Sequence, residues 1–333
     1  MNASNAAVRA VPQAGAYAAN PVLDTDLTLA LAVASKAAYT YFTDPQQPIV
    51  APSGYTWRDS WTGWDAILLT GSVESFGLVF QSQAEPGTYI FAFRGTDSDL
   101  DAWEDVHFIP TDFVPTSNSV SPTPRVSSGF YGIYDGIGGD MSASMRQQLF
   151  ALLQKYQPSQ LYITGHSLGA ALCQLFSLDV AVSKPISTLT ASLNLNFSSP
   201  MVGTDNWAEA YASVIDASQS IRVYNYWDYV PSLPPSAFDY QAVGTGFRTA
   251  FYVDKEWFPH LLARHALLNL TAVLENALPL SPQQWQGTFQ DQVPGETQWT
   301  MISTYPPSGA DVRWADQAQT LMKAEAATAV KLG

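Results

Sequence analysis

One pentapeptide constrains this chain more than any other stretch of it: Gly165-His166-Ser167-Leu168-Gly169. Its flanks give it meaning. Leu161-Tyr162-Ile163-Thr164 is a short apolar run of strand type, and residues 168–182 form an alanine-rich apolar run of helix type. A Gly-x-Ser-x-Gly between a strand and a helix is a nucleophile elbow. The turn is so tight that side chains at its two flanks would clash, and glycine removes them. The serine is pushed out at the head of a helix, where backbone N–H groups can face an oxyanion. The plain alternative is a strand-to-helix turn without chemistry.

Strand and helix alternate on both sides of this turn. A helix is predicted from Asp24, with Leu27, Ala30, Leu31, Ala34, Ala38, Tyr41 and Phe42 on one stripe. Pro45 stops it. Strands are predicted over 66–70, 76–81, 89–94, 193–197 and 221–226, and helices over 141–156, 205–215, 260–274 and 315–330. The segments 247–253 and 283–305 stay ambiguous. The Pro- and Ser-rich stretch from Pro110 to Pro124 is long for a connection, which makes it functional or mobile. The alternation predicts an α/β fold with a central, mostly parallel sheet covered by helices on both faces. No domain-sized linker interrupts it, so the whole of 1–333 reads as one domain, with 1–21 as a loosely ordered arm.

Composition narrows the partners. A formal net charge of −14 repels nucleic acid and anionic membranes. The single cysteine, Cys173, excludes an internal disulfide and a cysteine-based zinc site. No apolar run of about 18 residues is present, so no transmembrane segment is predicted. The first 20 residues lack the continuous apolar stretch of a signal peptide. Localisation and oligomeric state stay open.

A serine hydroxyl needs a base within reach and a carboxylate to orient that base. In this type of fold the chain order is serine, acid, histidine. His107 precedes Ser167, and His166 is the variable residue of the elbow, whose side chain should point away from Ser167. His260 and His265 remain, with His265, at the edge of an apolar helix, preferred. The acid should follow a sheet strand, as Asp228 does in Val223-Tyr224-Asn225-Tyr226-Trp227-Asp228. Asp205 and Asp239 are its rivals. For the oxyanion hole, the N–H of Leu168 is the first donor. Thr96, after the apolar strand that ends in Arg94-Gly95, is the second.

In this order, Phe93-Arg94-Gly95-Thr96, Ser128-Gly129-Phe130, Thr164-Gly165-His166-Ser167-Leu168-Gly169, Asp228-Tyr229-Val230-Pro231 and the late His265 resemble the class 3 lipases, the fungal-lipase-like α/β-hydrolases. The resemblance covers roughly 65–270. It implies the α/β-hydrolase fold and a lipase for triacylglycerol or a related carboxylic ester, working without metal or cofactor. It implies Thr96 as an oxyanion residue, favours secretion, and places a helical lid at about 97–110. There Leu100, Trp103 and Val106 share one face among acidic neighbours, as suits a helix that turns to an oil–water interface. An ordinary surface helix would show the same pattern. The run Asp97-x-Asp99-x-Asp101 lacks the later residues of a calcium loop, with Ala102 and Phe108 at its sixth and twelfth positions. Ser128 stands where the family often has histidine, and Ala170 where a second glycine often follows. The same machinery would serve a phospholipase, a feruloyl or aryl esterase, or an acyltransferase. A binding protein on a hydrolase scaffold is the remote alternative.

Overall fold

Six successive residues, Thr88–Phe93, are buried on both of their faces and form the middle of the main sheet. Only a strand covered from two sides can use such an unbroken apolar run. In this computed structural model the described residues are 20–65, 71–96, 107–234, 238–253, 263–283, 288–290 and 300–303. The helices in chain order are α1 (Thr25–Thr43), α2 (Ser128–Asp135), α3 (Met145–Tyr156), α4 (Leu168–Ser183), α5 (Asp205–Val214) and α6 (Leu267–Ala277). The strands are β1 (Tyr55–Asp65), β2 (Ser72–Ser82), β3 (Thr88–Phe93), β4 (Pro110–Asp112), β5 (Arg125–Ser127), β6 (Gln160–Gly165) and β7 (Ala191–Phe197). They continue with β8 (Gly203–Thr204), β9 (Ser220–Asn225), β10 (Tyr240–Gln241), β11 (Thr245–Thr249), β12 (Phe251–Val253), β13 (Thr288–Gln290) and β14 (Thr300–Ser303).

The main sheet has seven strands in the order β1-β2-β3-β6-β7-β9-β11. β1, β2 and β3 pair antiparallel, and every pairing from β3 to β11 is parallel. The fold is therefore the expected α/β arrangement, a mostly parallel sheet with helices on both faces. Alternation along β3 shows the two layers. Tyr89, Phe91 and Phe93 join an aromatic-rich core with Trp61, Phe130, Leu149 and Phe176, on the side of α2 to α5. Ile90 and Ala92 join an aliphatic core with Leu31, Ala34, Ala38, Leu270 and Leu274, on the side of α1 and α6. Each large side chain so buried contributes about 1.5–3 kcal/mol. The remaining strands form two small sheets, β10-β8-β5-β4 and β12-β14-β13. Among the described residues no helix is long and apolar enough to cross a membrane.

Several boundaries differ from expectation for local reasons. β1 escapes a pattern search because its register breaks between Trp57 and Asp59 and again between Trp61 and Thr62. Each break changes which residues face inward. α2 contains Gly129 and Gly132, which weaken its helical signal. α3 begins at Met145, not 141, because Ser144 and Gln147 form a reciprocal capping box there. The helix expected over 260–274 is broken at Ala266, which is extended at φ −55°, ψ 125°, so α6 begins at Leu267. Residues 263–265 are helical. The ambiguous segments supply β11 to β14. The strand expected at 66–70, the helix at 315–330 and residues 1–19 of the arm expected at 1–21 lie outside the described residues.

The long connection between β4 and β5 is not loose. Asp179, buried in α4, accepts bonds from the Thr116 N–H at 2.7 Å, the Thr116 hydroxyl at 2.9 Å and the Tyr134 hydroxyl at 3.0 Å. Ser183 and the Val182 carbonyl hold Ser117 and Asn118 in the same way. A buried carboxyl group needs its oxygens met like this.

Candidate active site

Ser167 stands where the carboxyl end of β6 turns into α4, with φ 59° and ψ −126°. Such a backbone costs a non-glycine residue about 1–3 kcal/mol and persists only where the surroundings impose it. They do so here through glycine. A Cβ on Gly165 would lie 2.8 Å from the Gly169 carbonyl, and one on Gly169 would lie 2.4 Å from the Arg94 carbonyl oxygen. The strand, the turn and the helix are thus pressed together at backbone contact. Ser167 occupies the N-cap of α4, yet its side chain caps nothing. The hydroxyl goes elsewhere.

It goes to His265. His265 Nε2 is 2.7 Å from Ser167 Oγ, and Nδ1 is 2.8 Å from Asp228 Oδ2. A carboxylate only accepts, so the neutral ring carries its proton on Nδ1 and receives the serine O–H at Nε2. Asp228 is itself oriented. Its Oδ1 accepts the Val230 N–H at 3.0 Å, and its own N–H donates to the Asn225 carbonyl at the end of β9. All three side chains are buried. The structure therefore brings Ser167, Asp228 and His265 into one line across 98 residues of chain.

The rivals fall away on position. Asp205 is in the first turn of α5, and Asp239 is exposed at φ 54°. His107 is exposed too, and its carbonyl receives the Ser127 and Ser128 hydroxyls and the Gly129 N–H. His260, Leu100, Trp103 and Val106 lie outside the described residues.

The 94–96 turn lies directly against the elbow. A Cβ on Gly95 would sit 2.9 Å from Ser167 Cβ, 2.6 Å from the His166 carbonyl oxygen and 2.2 Å from the Tyr39 hydroxyl. No side chain fits there, so Thr96 follows a backbone that touches the serine. Arg94 fixes that backbone. Its Nη1 donates to the Gly95 carbonyl at 2.7 Å, Nε donates to Ser75 O at 2.7 Å, and Nη2 pairs with Glu74. The buried guanidinium also lies 3.8 Å from the Phe42 ring centroid and 4.3 Å from that of Phe76. Burial lowers the Arg94 pKa from the usual arginine value, and Glu74 opposes the shift.

His166 is engaged as well. Its buried ring bonds the Tyr39 hydroxyl at 2.9 Å and the His265 carbonyl at 2.8 Å. The two histidine rings are 4.6 Å apart, centre to centre. Burial holds the His166 pKa well below the ordinary histidine value, and His265 adds to the effect. Motif reading assigns no task to His166, Tyr39, Asn225 or Asn269. The signal available was a polar residue inside an apolar run, as in Val223-Tyr224-Asn225 and Leu268-Asn269-Leu270.

Known proteins share this architecture. Residues 90–238 match the family described as Lipase (class 3). The rice (Oryza sativa subsp. japonica) protein named Phospholipase A1-II 3 is 30% identical over 219 residues, covering 59% of this chain and 49% of that protein. The Rhizomucor miehei lipase is 28% identical over 167 residues, covering 50% of this chain and 43% of that one. The chain thus spans about half the length of the curated relatives it matches. The crystal structure of a lipase from Rhizopus microsporus var. chinensis superposes with a TM-score of 0.53 at 24% identity, over 71% of this chain and 79% of that one. Its likeness is one of fold. The elbow, the Arg-Gly-Thr turn and the Asp228 loop all lie inside the matched segment, and over that segment the chain is similar to the class 3 lipase family.

Proposed function

We propose that this chain is a carboxylic ester hydrolase of the lipase type, acting through an acyl-enzyme on Ser167. The observation that carries the reading is the continuous hydrogen-bonded line from Ser167 through His265 to Asp228. His265 takes the hydroxyl proton as Ser167 Oγ attacks the ester carbonyl. It then gives that proton to the leaving alcohol. Asp228 keeps the ring in the tautomer that leaves Nε2 free to accept, and stabilises the imidazolium. Water, activated by the same ring, releases the acid.

The oxyanion forms beside the start of α4. The Leu168 N–H is one donor. The second is Thr96, through its N–H and hydroxyl. A trans peptide points its N–H opposite its C=O. By holding the Gly95 carbonyl, Arg94 therefore sets the direction of the Thr96 N–H. Removing one oxyanion donor costs about 10²–10³ in turnover. No step calls for a metal or cofactor. The lid reading of Leu100, Trp103 and Val106 rests on their sequence spacing alone, as does the reading of 1–333 as one domain.

Acylglycerols presented at an oil–water interface are the proposed substrates. The relatives named phospholipase A1 favour a second reading, with a phospholipid ester in the same place. A fluorophosphonate probe tests the chemistry: it should label the protein at Ser167 and abolish esterase activity. Absence of labelling, or labelling at another serine, would remove the mechanism. Hydrolysis of esters from acetate to long-chain triglyceride and of phospholipid vesicles then separates the two substrate readings.

A further inference from the structure

Three successive backbone carbonyls carry the segment that holds His265, and each accepts a hydrogen bond from a buried or half-buried side chain of another position. Asn269 Nδ2 donates to the Ala263 carbonyl at 2.8 Å. Asn225 Nδ2 donates to the Arg264 carbonyl at 3.4 Å, and to the Phe251 carbonyl at 3.1 Å. His166 Nε2 reaches the His265 carbonyl at 2.8 Å. These bonds come from three different elements: α6, the end of β9 and the elbow. The Asn225 carboxamide oxygen also accepts the N–H groups of Phe251 and Trp227, so the acid-bearing loop is tied in as well.

The His166 bond differs from the other two. His166 is joined by a peptide bond to Ser167, while its ring holds the main chain of His265. The distance between the two reacting side chains is thus set through one covalent link and one hydrogen bond. Its tautomer follows from its partners. A carbonyl oxygen has no proton to give, so Nε2 bears the hydrogen. Nδ1 is then the acceptor of the Tyr39 O–H at 2.9 Å. Tyr39 lies in α1, on the opposite face of the sheet from α4, and its hydroxyl also packs against Gly95. The other titratable ring at hand is that of His265. If the Tyr39 hydroxyl were lost, Nδ1 could carry the proton instead, and a lone pair would face the His265 carbonyl.

We propose that His166 is a positioning residue: with Tyr39 fixing its tautomer, it clamps the His265 main chain against the nucleophile elbow and so sets the Ser167–His265 distance. This rests on the esterase reading above. It deepens that reading by giving a task to the residue that a Gly-x-Ser-x-Gly motif leaves unspecified. A side chain that only fills space would serve as well if it kept the volume. A clamp must donate at the Nε2 position.

That difference is the test, made on the full chain with a soluble short-chain p-nitrophenyl ester and a fluorophosphonate. In His166→Phe the ring volume stays and the donor goes. A misplacement of about 1 Å costs about 10²-fold, so kcat should fall by about 10- to 100-fold. KM should stay unchanged, and fluorophosphonate labelling of Ser167 should slow in parallel. His166→Gln places an amide N–H near the old Nε2 and should recover most of the rate. Tyr39→Phe, which leaves His166 in place but frees its tautomer, should lose a few-fold. If His166→Phe turns over at the wild-type rate, or if Gln and Phe are equally slow, the clamp is wrong. Should the phenylalanine variant not fold, His166→Asn decides, because its shorter amide falls short of the His265 carbonyl. Equal rates for Asn and Gln then overturn the proposal, and a slow Asn beside a fast Gln supports it. Failure of the esterase reading looks different: the wild-type protein itself would not be labelled at Ser167.

Discussion

Ser144 and Ser167 both stand at the N-cap of a helix, and the chain uses them in opposite ways. Ser144 at the head of α3 has extended backbone, φ −64° and ψ 164°, and its hydroxyl accepts from Gln147 while the Gln147 side chain accepts from the Ser144 N–H. Ser167 at the head of α4 has φ 59° and ψ −126°, and its hydroxyl caps nothing. In the first case the side chain meets the unpaired N–H groups of the helix. In the second the backbone is bent to withhold it, and the hydroxyl gives those N–H groups no partner. A strained cap position whose hydroxyl turns to a histidine instead of to its own helix points to a nucleophile better than the motif does. The motif says only that two glycines flank a serine. The strain says that the surroundings hold that serine against its own preference.

The largest effect that could break this contrast is loss of the withheld hydroxyl. Ser167→Ala should lower esterase turnover by about 10⁵–10⁶. Its denaturant midpoint should stay close to wild type, since no capping bond is lost. A large drop in stability would mean that the hydroxyl was structural after all. Next in size is crowding of the same corner. Gly95→Ala puts a methyl within 2.2 Å of the Tyr39 hydroxyl and 2.9 Å of Ser167 Cβ. Activity should fall by about 10²-fold, with a lower melting temperature. A variant with normal activity would detach the 94–96 turn from the site.

Acid should sharpen the contrast further. His166 has its pKa pressed down by burial, so the unfolded chain binds its proton more readily. Stability from this group is complete above about pH 6.5 and is lost as pH falls below that value, by at most about 1.4 kcal/mol per unit. Urea titrations from pH 7 to pH 5 should show this slope in the wild type and a weaker one in His166→Gln. Equal slopes would mean that water reaches His166 despite its burial. The smallest effect belongs to the ordinary cap. Ser144→Ala should cost about 1 kcal/mol of stability and leave kcat unchanged. A loss of activity there would show that α3 acts on the site.

How much of this could be read beforehand follows the same divide between local and distant contacts. Ser167 was legible because its strand, turn and helix are contiguous, and Asp228 and His265 because chain order restricts where the partners stand. β1 was not legible, because its two register breaks scramble the inside-outside alternation that a reader counts. Nor was the start of α6, since the extended Ala266 interrupts an apolar run that looks continuous. The roles of His166 and Asn225 could not be read at all. Their bonds to the His265 and Arg264 carbonyls span 99 and 39 residues, and no local pattern encodes a backbone acceptor that far away. In the sequence Arg94 reads only as the end of a strand. Its grip on the Gly95 carbonyl depends on Ser75 and Glu74 of a neighbouring strand.

The burial of Asp179 has a practical side. This carboxylate grows from the same helix that begins at Ser167, and it holds Thr116 from beneath the surface. Cutting the chain at 113–118, or threading a tag through it, would strip the buried Asp179 of two of its hydrogen-bond donors, at about 1–3 kcal/mol. That stretch is a poor graft site despite its prolines and serines. Anyone wishing to fuse a second module to this protein should look elsewhere on its surface.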